Sequence, residues 1–444
     1  MGPVGRRLVL AILAGLMLAG CGEDRVQNHV CAQVILAVES RFGPVQILSV
    51  TASTAVEHAV AVRYRLPAHR AALDLAARCR FAGSDLDTGR LVLTGVETQT
   101  QGPLPDARLH MVRVWLGLFA DRVAAALPPQ PPLVSGGPTW ALYLGQQLLN
   151  GVVPGILYAL IAVATTLAWG LFERLALIFG QLAMVGAYAG VLLITASLSI
   201  GVYSLLVTVA SALWLAMVVG ALYGRVTERL VIRPTLARDG QATLIASVGL
   251  ALALQEFARL TQGSGEVWLQ PLYASPHPLI GNGTFTLGVS TAQVFVIGTF
   301  LLLMAGVSAF LRHTDQGRAY RATCDDPGLA RLTGVPTHRV ANATFLLSGA
   351  LCAAAGFIVA LYYGGVGPYM GVILGFKGLA AAVLGGAGSV PGAVIAGLGL
   401  GLFEGAWDAY LPLAWRNVAV FGLLAVVLMI RPAGLRGAFR PVRT

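Results

Sequence analysis

The sequence predicts a polytopic α-helical membrane protein of about eight or nine spans, preceded by a small α+β domain. Three observations lead there. Of 444 residues, 56% are hydrophobic and only 11% charged, whereas soluble domains carry about a quarter charged residues. From Trp140 onward, apolar segments long enough to cross a bilayer follow one another with short breaks. The residues before 135 instead mix charge with short alternating runs. A net charge of +10 invites a nucleic-acid reading, but the arginines sit in short loops beside apolar runs, as positive-inside topology requires.

The chain opens with Arg6 and Arg7, followed by an apolar run from Leu8 to Leu18. That run is short for a span and suits a secretory signal. It ends Leu18-Ala19-Gly20-Cys21, which resembles a bacterial lipobox, a motif whose cysteine becomes the acylated, lipid-anchored N-terminus. The alternative is an uncleaved signal anchor. Either one delivers the following residues outside the cytoplasm. We therefore divide the chain into a signal peptide at 1–21, an extracytoplasmic α+β domain at 22–135 and a membrane domain at 136–444.

In the first domain Val60, Val62, Tyr64 and Leu66 alternate with Ala61, Arg63 and Arg65, the period of a half-buried strand. Val45 to Val50 and Arg90 to Val96 read as further strands, and Val30 to Arg41 and Ala68 to Phe81 as helices. Cys31 and Cys79 then lie one in each helix, either paired in an oxidising compartment or as two buried thiols. The run Leu127-Pro128-Pro129-Gln130-Pro131-Pro132 is a stiff linker. No catalytic constellation is visible in this region.

Spans are expected near 142–170, 175–197, 203–224, 241–261, 291–311, 341–363, 372–386, 389–405 and 414–430, the seventh and eighth short enough to form one broken pair. Charge sets their orientation. Arg225, Arg229, Arg233 and Arg238 share one loop, Arg312, Arg318, Arg321, Arg331 and Arg339 another, and Arg431, Arg436, Arg440 and Arg443 the tail. The loop from Gln262 to Ser290 has no Arg or Lys. The positive-inside rule puts the three basic segments in the cytoplasm. Counting back through three spans from the first basic loop leaves the N-terminal domain outside, the side the signal sequence gives independently.

The densest charged segment of the membrane part is the 312–340 island. Asp325-Asp326-Pro327 suits a helix start, with a capping carboxylate and proline in the first turn, and Gly334 suits its end. Embedded chains have no packing reason to insert such an island, so a partner on the wet side must dock there. The sole lysine, Lys377, lies between Phe376 and Gly378, so no phosphate-cradling Gly-x-x-x-x-Gly-Lys loop exists. Any ATP hydrolysis must come from another polypeptide. Lys377 is costly if it faces lipid and is a functional candidate by default; the alternative is snorkelling to the outer interface. Tyr362, Tyr363 and Tyr369 form either an interfacial belt or the mouth of a substrate path. Gly385, Gly386, Gly388 and Gly392 around Pro391 argue against continuous helix. A re-entrant element lining the pathway is our reading of them, against close packing of small residues. Ionisable residues that could couple to an ion gradient are few, namely Glu256, Lys377 and Glu404, each near a predicted span end.

Several separated motifs, in order, resemble the LivH-type branched-chain amino acid permeases of ABC importers, from about Gln146 to Gly437 and so over roughly two-thirds of the chain. They are Gln146-Gln147-Leu148-Leu149-Asn150-Gly151 with Tyr158-Ala159-Leu160, Glu228-Arg229 with Arg233-Pro234, and Gly317-Arg318 with Arg321, Asp325, Asp326, Ala330 and Gly334. The glycine-rich piece from Gly375 to Ala393 and Arg431-Pro432-Ala433-Gly434-Leu435 complete the set. The resemblance implies a permease subunit without a cofactor of its own. Its partners would be ATPase subunits carrying ATP and Mg, a second permease copy or homologue, and a periplasmic solute-binding protein, in the bacterial inner membrane. It makes 312–340 the loop that couples to the ATPases. One departure stands out: where the family has an Asn-Phe-Ala-His-Gly-Glu-like stretch, this chain has Ala176 to Gln181, with Gln181 for the acid. The solute is therefore open between branched-chain amino acids and urea- or amide-like molecules. Rival readings are an ion-coupled secondary transporter, or an outer sensor domain on a degenerate permease anchor.

Overall fold

The computed structural model describes residues 25–39, parts of 45–112, and 134–435 apart from short breaks at 136–137, 175, 201–204, 236–239, 269–275, 283–285 and 433. The chain falls into two compact units, one built on residues up to Gln130 with Ala196–Val209, the other on Pro131–Thr195 with Ala210–Thr444. Cys21 and the proline-rich run lie outside the described residues.

The first unit is a helix on a sheet. Helix α1 (Arg25–Glu39) covers an antiparallel meander in the order β1 (Gln46–Ala52), β2 (Ala59–Arg65), β3 (Asp74–Phe81), β4 (Leu93–Thr98) and β5 (Gly102–Pro103). Alternation in β2 buries Val60, Val62 and Tyr64 against Val30, Val34 and Ile35 of α1. Burial pushes the Tyr64 phenol above its usual range. On the opposite face exposed pairs bridge neighbouring strands, Arg65 with Asp74 and Arg80 with Glu97, each at 2.7 Å. One sequence expectation fails here. The helix expected over Ala68–Phe81 is strand from Asp74 onward, so Cys79 sits on β3. The alanines suggest a helix, but Ala77, Cys79 and Phe81 face inward while Arg78 and Arg80 face out, and that two-residue period decides. Cys31 of α1 and Cys79 are joined as a disulfide, with Cα atoms 5.8 Å apart.

Among the described residues of the whole chain, eight helices are long and apolar enough to cross a membrane. They belong to α2 (Thr139–Phe172), α3 (Phe179–Ile200), α4 (Leu205–Thr227, prolonged by a π turn over Glu228–Ile232 and by Arg233–Thr235), α5 (Gly240–Gln262) and α6 (Thr291–His313). The others are α9 (Thr337–Tyr363), α11 (Val390–Tyr410) and α12 (Arg416–Ile430), the last with a preceding turn. Helix α10 (Met370–Gly385) is apolar but has only 16 residues. The π turn carries Arg229 on a continued helix where the sequence suggests a loop.

Glycine lets these helices touch backbone to backbone. A Cβ on Gly401 of α11 would lie 2.1 Å from the Gly155 nitrogen of α2, and one on Gly186 of α3 would lie 2.3 Å from the Ala353 Cα of α9. With little hydrophobic driving force in lipid, such close dispersion contact is what holds helices together. The core is accordingly lined by Leu157, Leu160, Ile161, Phe345, Phe357 and their neighbours, all buried. The described residues between α2 and α3 are not helical. Glu173 ends α2 at φ +51°, and the stretch that follows hangs on polar groups of other helices. Arg174 donates to the Thr235 carbonyl at 3.0 Å and to Thr243 Oγ1 at 3.1 Å, and the Leu177 N–H donates to Ser247 Oγ at 3.2 Å. This is how irregular backbone is tolerated beside apolar spans.

Candidate functional site

Four charged side chains of the helical unit converge at one place. Lys377, the eighth residue of α10, donates to Glu404 Oε1 of α11 at 2.8 Å, and both side chains are 4% exposed. Tyr158 of α2 donates its hydroxyl to Glu404 Oε2 at 2.7 Å and accepts from Lys377 Nζ at 3.3 Å. Arg416, first residue of α12, reaches Glu404 Oε1 with Nε at 3.1 Å and Asp408 Oδ2 with Nη1 at 3.1 Å. Two cations and two carboxylates from three helices, with the Tyr158 hydroxyl from a fourth, thus close a neutral cluster. Burying Lys377 and Glu404 is tolerable because each has an opposite charge and further hydrogen bonds, while Arg416 and Asp408 keep part of their surface exposed.

The cluster is not packed solid. It borders a cavity of about 200 Å³ whose charged wall is Lys377, Glu404 and Arg416, with Tyr158 and Tyr363 beside them. The remaining wall is apolar, with Pro154 and Leu157 from α2, Val359 from α9 and Met370, Ile373 and Leu374 from α10. Pro154 lies inside α2 and offers no N–H to the carbonyl one turn earlier, so the helix is locally weakened where it faces the cavity. Tyr363 and Ile373 are more than half exposed and form the rim.

Of the residues singled out from sequence as pathway candidates, the fold brings Lys377 and Tyr363 to this cavity. It does not bring Gln181, Tyr362, Gly385, Gly386 or Gly388 into the lining. Lys377 does not snorkel, and Lys377 and Glu404 lie within their helices and not near the ends. Glu256 is a surface residue paired with Arg259 at 2.7 Å. Gln181 is buried, with its Nε2 3.4 Å from Gln255 Oε1 of α5. Its neighbour Phe179 stacks on Phe345 with ring centres 6.1 Å apart, so the apolar departure at 176–179 fills core. Tyr362 receives a weak bond from Gln293 Nε2 at 3.4 Å and meets Tyr363 edge-on. The glycine-rich piece is a turn between two helices. A Cβ on Gly385 would meet the backbone of Gly392, while Gly386 and Gly388 turn the chain at φ +96° and +91°. That end of the hairpin is tied to the tail by the Leu435 N–H donating to the Leu384 carbonyl at 2.8 Å. Sequence reasoning misses how the Lys377–Glu404 pair is completed, since neither Tyr158 nor the Arg416–Asp408 pair carries a local signal that points to it.

A second site lies in the charged island. Helix α7 (Asp315–Asp325) starts at Thr314, whose hydroxyl accepts from the Gly317 N–H at 3.0 Å. Tyr320 of α7 donates to the Leu167 carbonyl of α2 at 3.0 Å, and burial raises its phenol pKa, keeping the donor protonated. Arg318 pairs with Asp315, and Arg321 reaches the Leu311 carbonyl. Helix α8 (Pro327–Leu332) begins as the Asp-Pro spacing predicts: Asp326 Oδ1 accepts from the Gly328 and Leu329 N–H groups at 2.9 and 3.0 Å. Gly334 follows at φ +85°, a conformation that favours glycine. Ala330 is buried, whereas Leu329 and Leu332 stand 63% and 87% exposed. A two-turn knob, rooted on α2 through α7, thus displays two bare leucines.

With both sites in view, comparison with known proteins settles the class. A family model described as branched-chain amino acid transport system / permease component matches residues 147–430. This chain belongs to that family. The high-affinity branched-chain amino acid transport system permease protein LivH of Escherichia coli strain K12 is 36% identical over 297 residues, covering 67% of this chain and 96% of the relative. The permease protein BraD of Pseudomonas aeruginosa is 32% identical over 298 residues, covering 66% and 95%. A more distant relative, the fructose import permease protein FrcC of Rhizobium meliloti, is 29% identical over 42% of this chain and 52% of its own. No solved structure matches. The matched region contains the whole cavity and both helices of the knob, and begins after the N-terminal α1 helix and its sheet. The chain is a transporter permease subunit, not an enzyme.

Proposed function

We propose that this permease imports branched-chain amino acids or closely related small solutes across the bacterial inner membrane, driven by ATPase subunits that grip the α7–α8 knob. The observation that carries this is the match to LivH over 96% of that relative's length, the knob included. The arginine-rich segments, with α7 and α8, face the cytoplasm in this reading. ATP-driven closure of two ATPases would push α7 and α8 as one lever. Tyr320, bonded to the α2 backbone, would pass that movement to the helix that lines the cavity. A second permease chain, copy or homologue, and an extracytoplasmic solute-binding protein complete the assembly. The N-terminal unit lies outside, held to the membrane through an acylated Cys21, and its disulfide suits an oxidising compartment.

Reconstitution tests the reading. The chain, co-purified with its ATPase partners and supplied with binding protein in proteoliposomes, should accumulate labelled leucine only when ATP is enclosed on the knob side. The buried Lys377–Glu404 pair gives an ion-coupled carrier its best physical argument, because intramembrane ionisable residues mark proton and ion paths. Leucine uptake driven by a proton or sodium gradient without ATP would support that carrier and reject the importer.

A further inference from the structure

We propose that the cavity beside Lys377 is a binding site for the backbone of a zwitterionic α-amino acid. Its carboxylate is held by Lys377 and Arg416, its ammonium by Glu404, and its aliphatic side chain by Leu157 and Val359. The inference rests on the importer reading and deepens it by assigning a solute site to the permease itself.

The first argument is what the ion pair does not do. A buried pair gives little net stability, because desolvation offsets attraction, and apolar side chains of similar volume hold helices together as well. Packing alone therefore does not call for Lys377 and Glu404 at a helix contact. The second argument is their setting. Side chains 4% exposed and fully paired would ordinarily be surrounded by solid packing, yet these form one wall of a cavity. Its size, about 200 Å³, lies below the roughly 300–1,000 Å³ of pockets for drug-sized ligands and suits a single amino acid.

Charge balance narrows the ligand class. The cluster is neutral as built, with Lys377 and Arg416 against Glu404 and Asp408. A zwitterion can enter by exchange. Its carboxylate takes the place of Glu404 on Lys377 while its ammonium takes the place of Lys377 on Glu404. No charge is left without a partner at either end of that exchange, and unpaired buried charge is the large cost. A solute with one charge strands a partner, and an uncharged polyol or amide cannot open the pair at all. Apolar side chains opposite the charged wall favour an aliphatic substituent over a polar one.

The test is binding of labelled L-leucine to the permease–ATPase complex in nanodiscs without binding protein. Saturable binding is expected. It should be displaced by isoleucine and valine but not by 3-methylbutylamine or 4-methylpentanoate, which each lack one of the two charges. Lys377→Met and the cavity-filling Val359→Phe should each weaken binding at least about tenfold. Both should elute as intact complex in size-exclusion chromatography. Absence of leucine binding by the unaltered complex, equal displacement by either one-charge analogue, or unaltered binding by both intact variants would overturn the site. ATP-driven leucine uptake that persists in both variants would reject the site and leave the importer standing. Leucine binding without any ATP-driven uptake would do the reverse.

Discussion

Glu404 Oε1 accepts from Lys377 Nζ at 2.8 Å and from Arg416 Nε at 3.1 Å, while Lys377 has no carboxylate partner but Glu404 among the described residues. The two ends of the pair are therefore unequal. Glu404→Gln strands a buried ammonium and is expected to destabilise the permease by about 3–5 kcal/mol. Lys377→Met leaves Glu404 with Arg416 and the Tyr158 hydroxyl, and should cost less, on the order of 1–3 kcal/mol. Melting of the purified permease in detergent, followed by fluorescence-detected chromatography, orders the two variants. Equal losses would mean that Arg416 does not hold Glu404.

The contact between α2 and α11 depends on missing side chains. A Cβ on Gly401 would lie 2.1 and 2.2 Å from the backbone of Gly155, which cannot yield as a side-chain tip can. Gly401→Ala should therefore lower stability by roughly 1–3 kcal/mol or more, the range for overpacking. Gly399, two residues earlier on the same helix, has nothing within 4 Å of the added carbon. Gly399→Ala should be neutral or stabilise by about 0.5–1 kcal/mol through lost backbone freedom. The same melting assay compares the two, and similar behaviour would refute the packing argument.

What the sequence discloses follows the range of the interaction. Asp326-Pro327 and Gly334 specify a helix start and stop within eight residues, and α8 lies between them. Apolar runs specify spans, because the length needed to cross lipid is itself local. Ala68–Phe81 misleads because its composition suggests helix while its alternation says strand, and pairing of β3 between β2 and β4 decides. The Lys377–Glu404 pair is half legible. Each residue stands out as an ion among apolar neighbours, but their meeting requires α10 and α11 to fold back at Gly386–Ser389. Tyr158 lies 246 residues from Glu404 and Arg416 opens the next helix, and no spacing rule connects either of them to the pair.

The disulfide makes the N-terminal unit sensitive to redox conditions. It closes a segment 48 residues apart in sequence and ties α1 to the middle of the sheet. Its removal by Cys31→Ser with Cys79→Ser should cost about 2–4 kcal/mol. In cells lysed directly into denaturant, a maleimide-polyethylene glycol reagent should leave both cysteines unmodified until a reductant is added. Labelling of Cys31 and Cys79 without reductant would mean that the disulfide is not formed.

The exposed leucines of α8 separate docking from folding. Leu332 is 87% exposed, so Leu332→Asp removes no intramolecular packing and should change stability by less than about 0.5 kcal/mol. A charge at a buried subunit contact is a different matter, since it would be desolvated without a partner on assembly. Co-purification of the ATPase subunits with Leu332→Asp should fall at least about tenfold, with the permease itself intact. Asp326→Ala acts by another route: it removes the acceptor for two N–H groups, costs about 1 kcal/mol at the helix start, and loosens α8 without altering its exposed face. It should weaken co-purification only modestly, in proportion to the fraction of time α8 is unwound. If Leu332→Asp retains the ATPases in full, the knob is not their handle, and the lever from α7 through Tyr320 to α2 loses its driver.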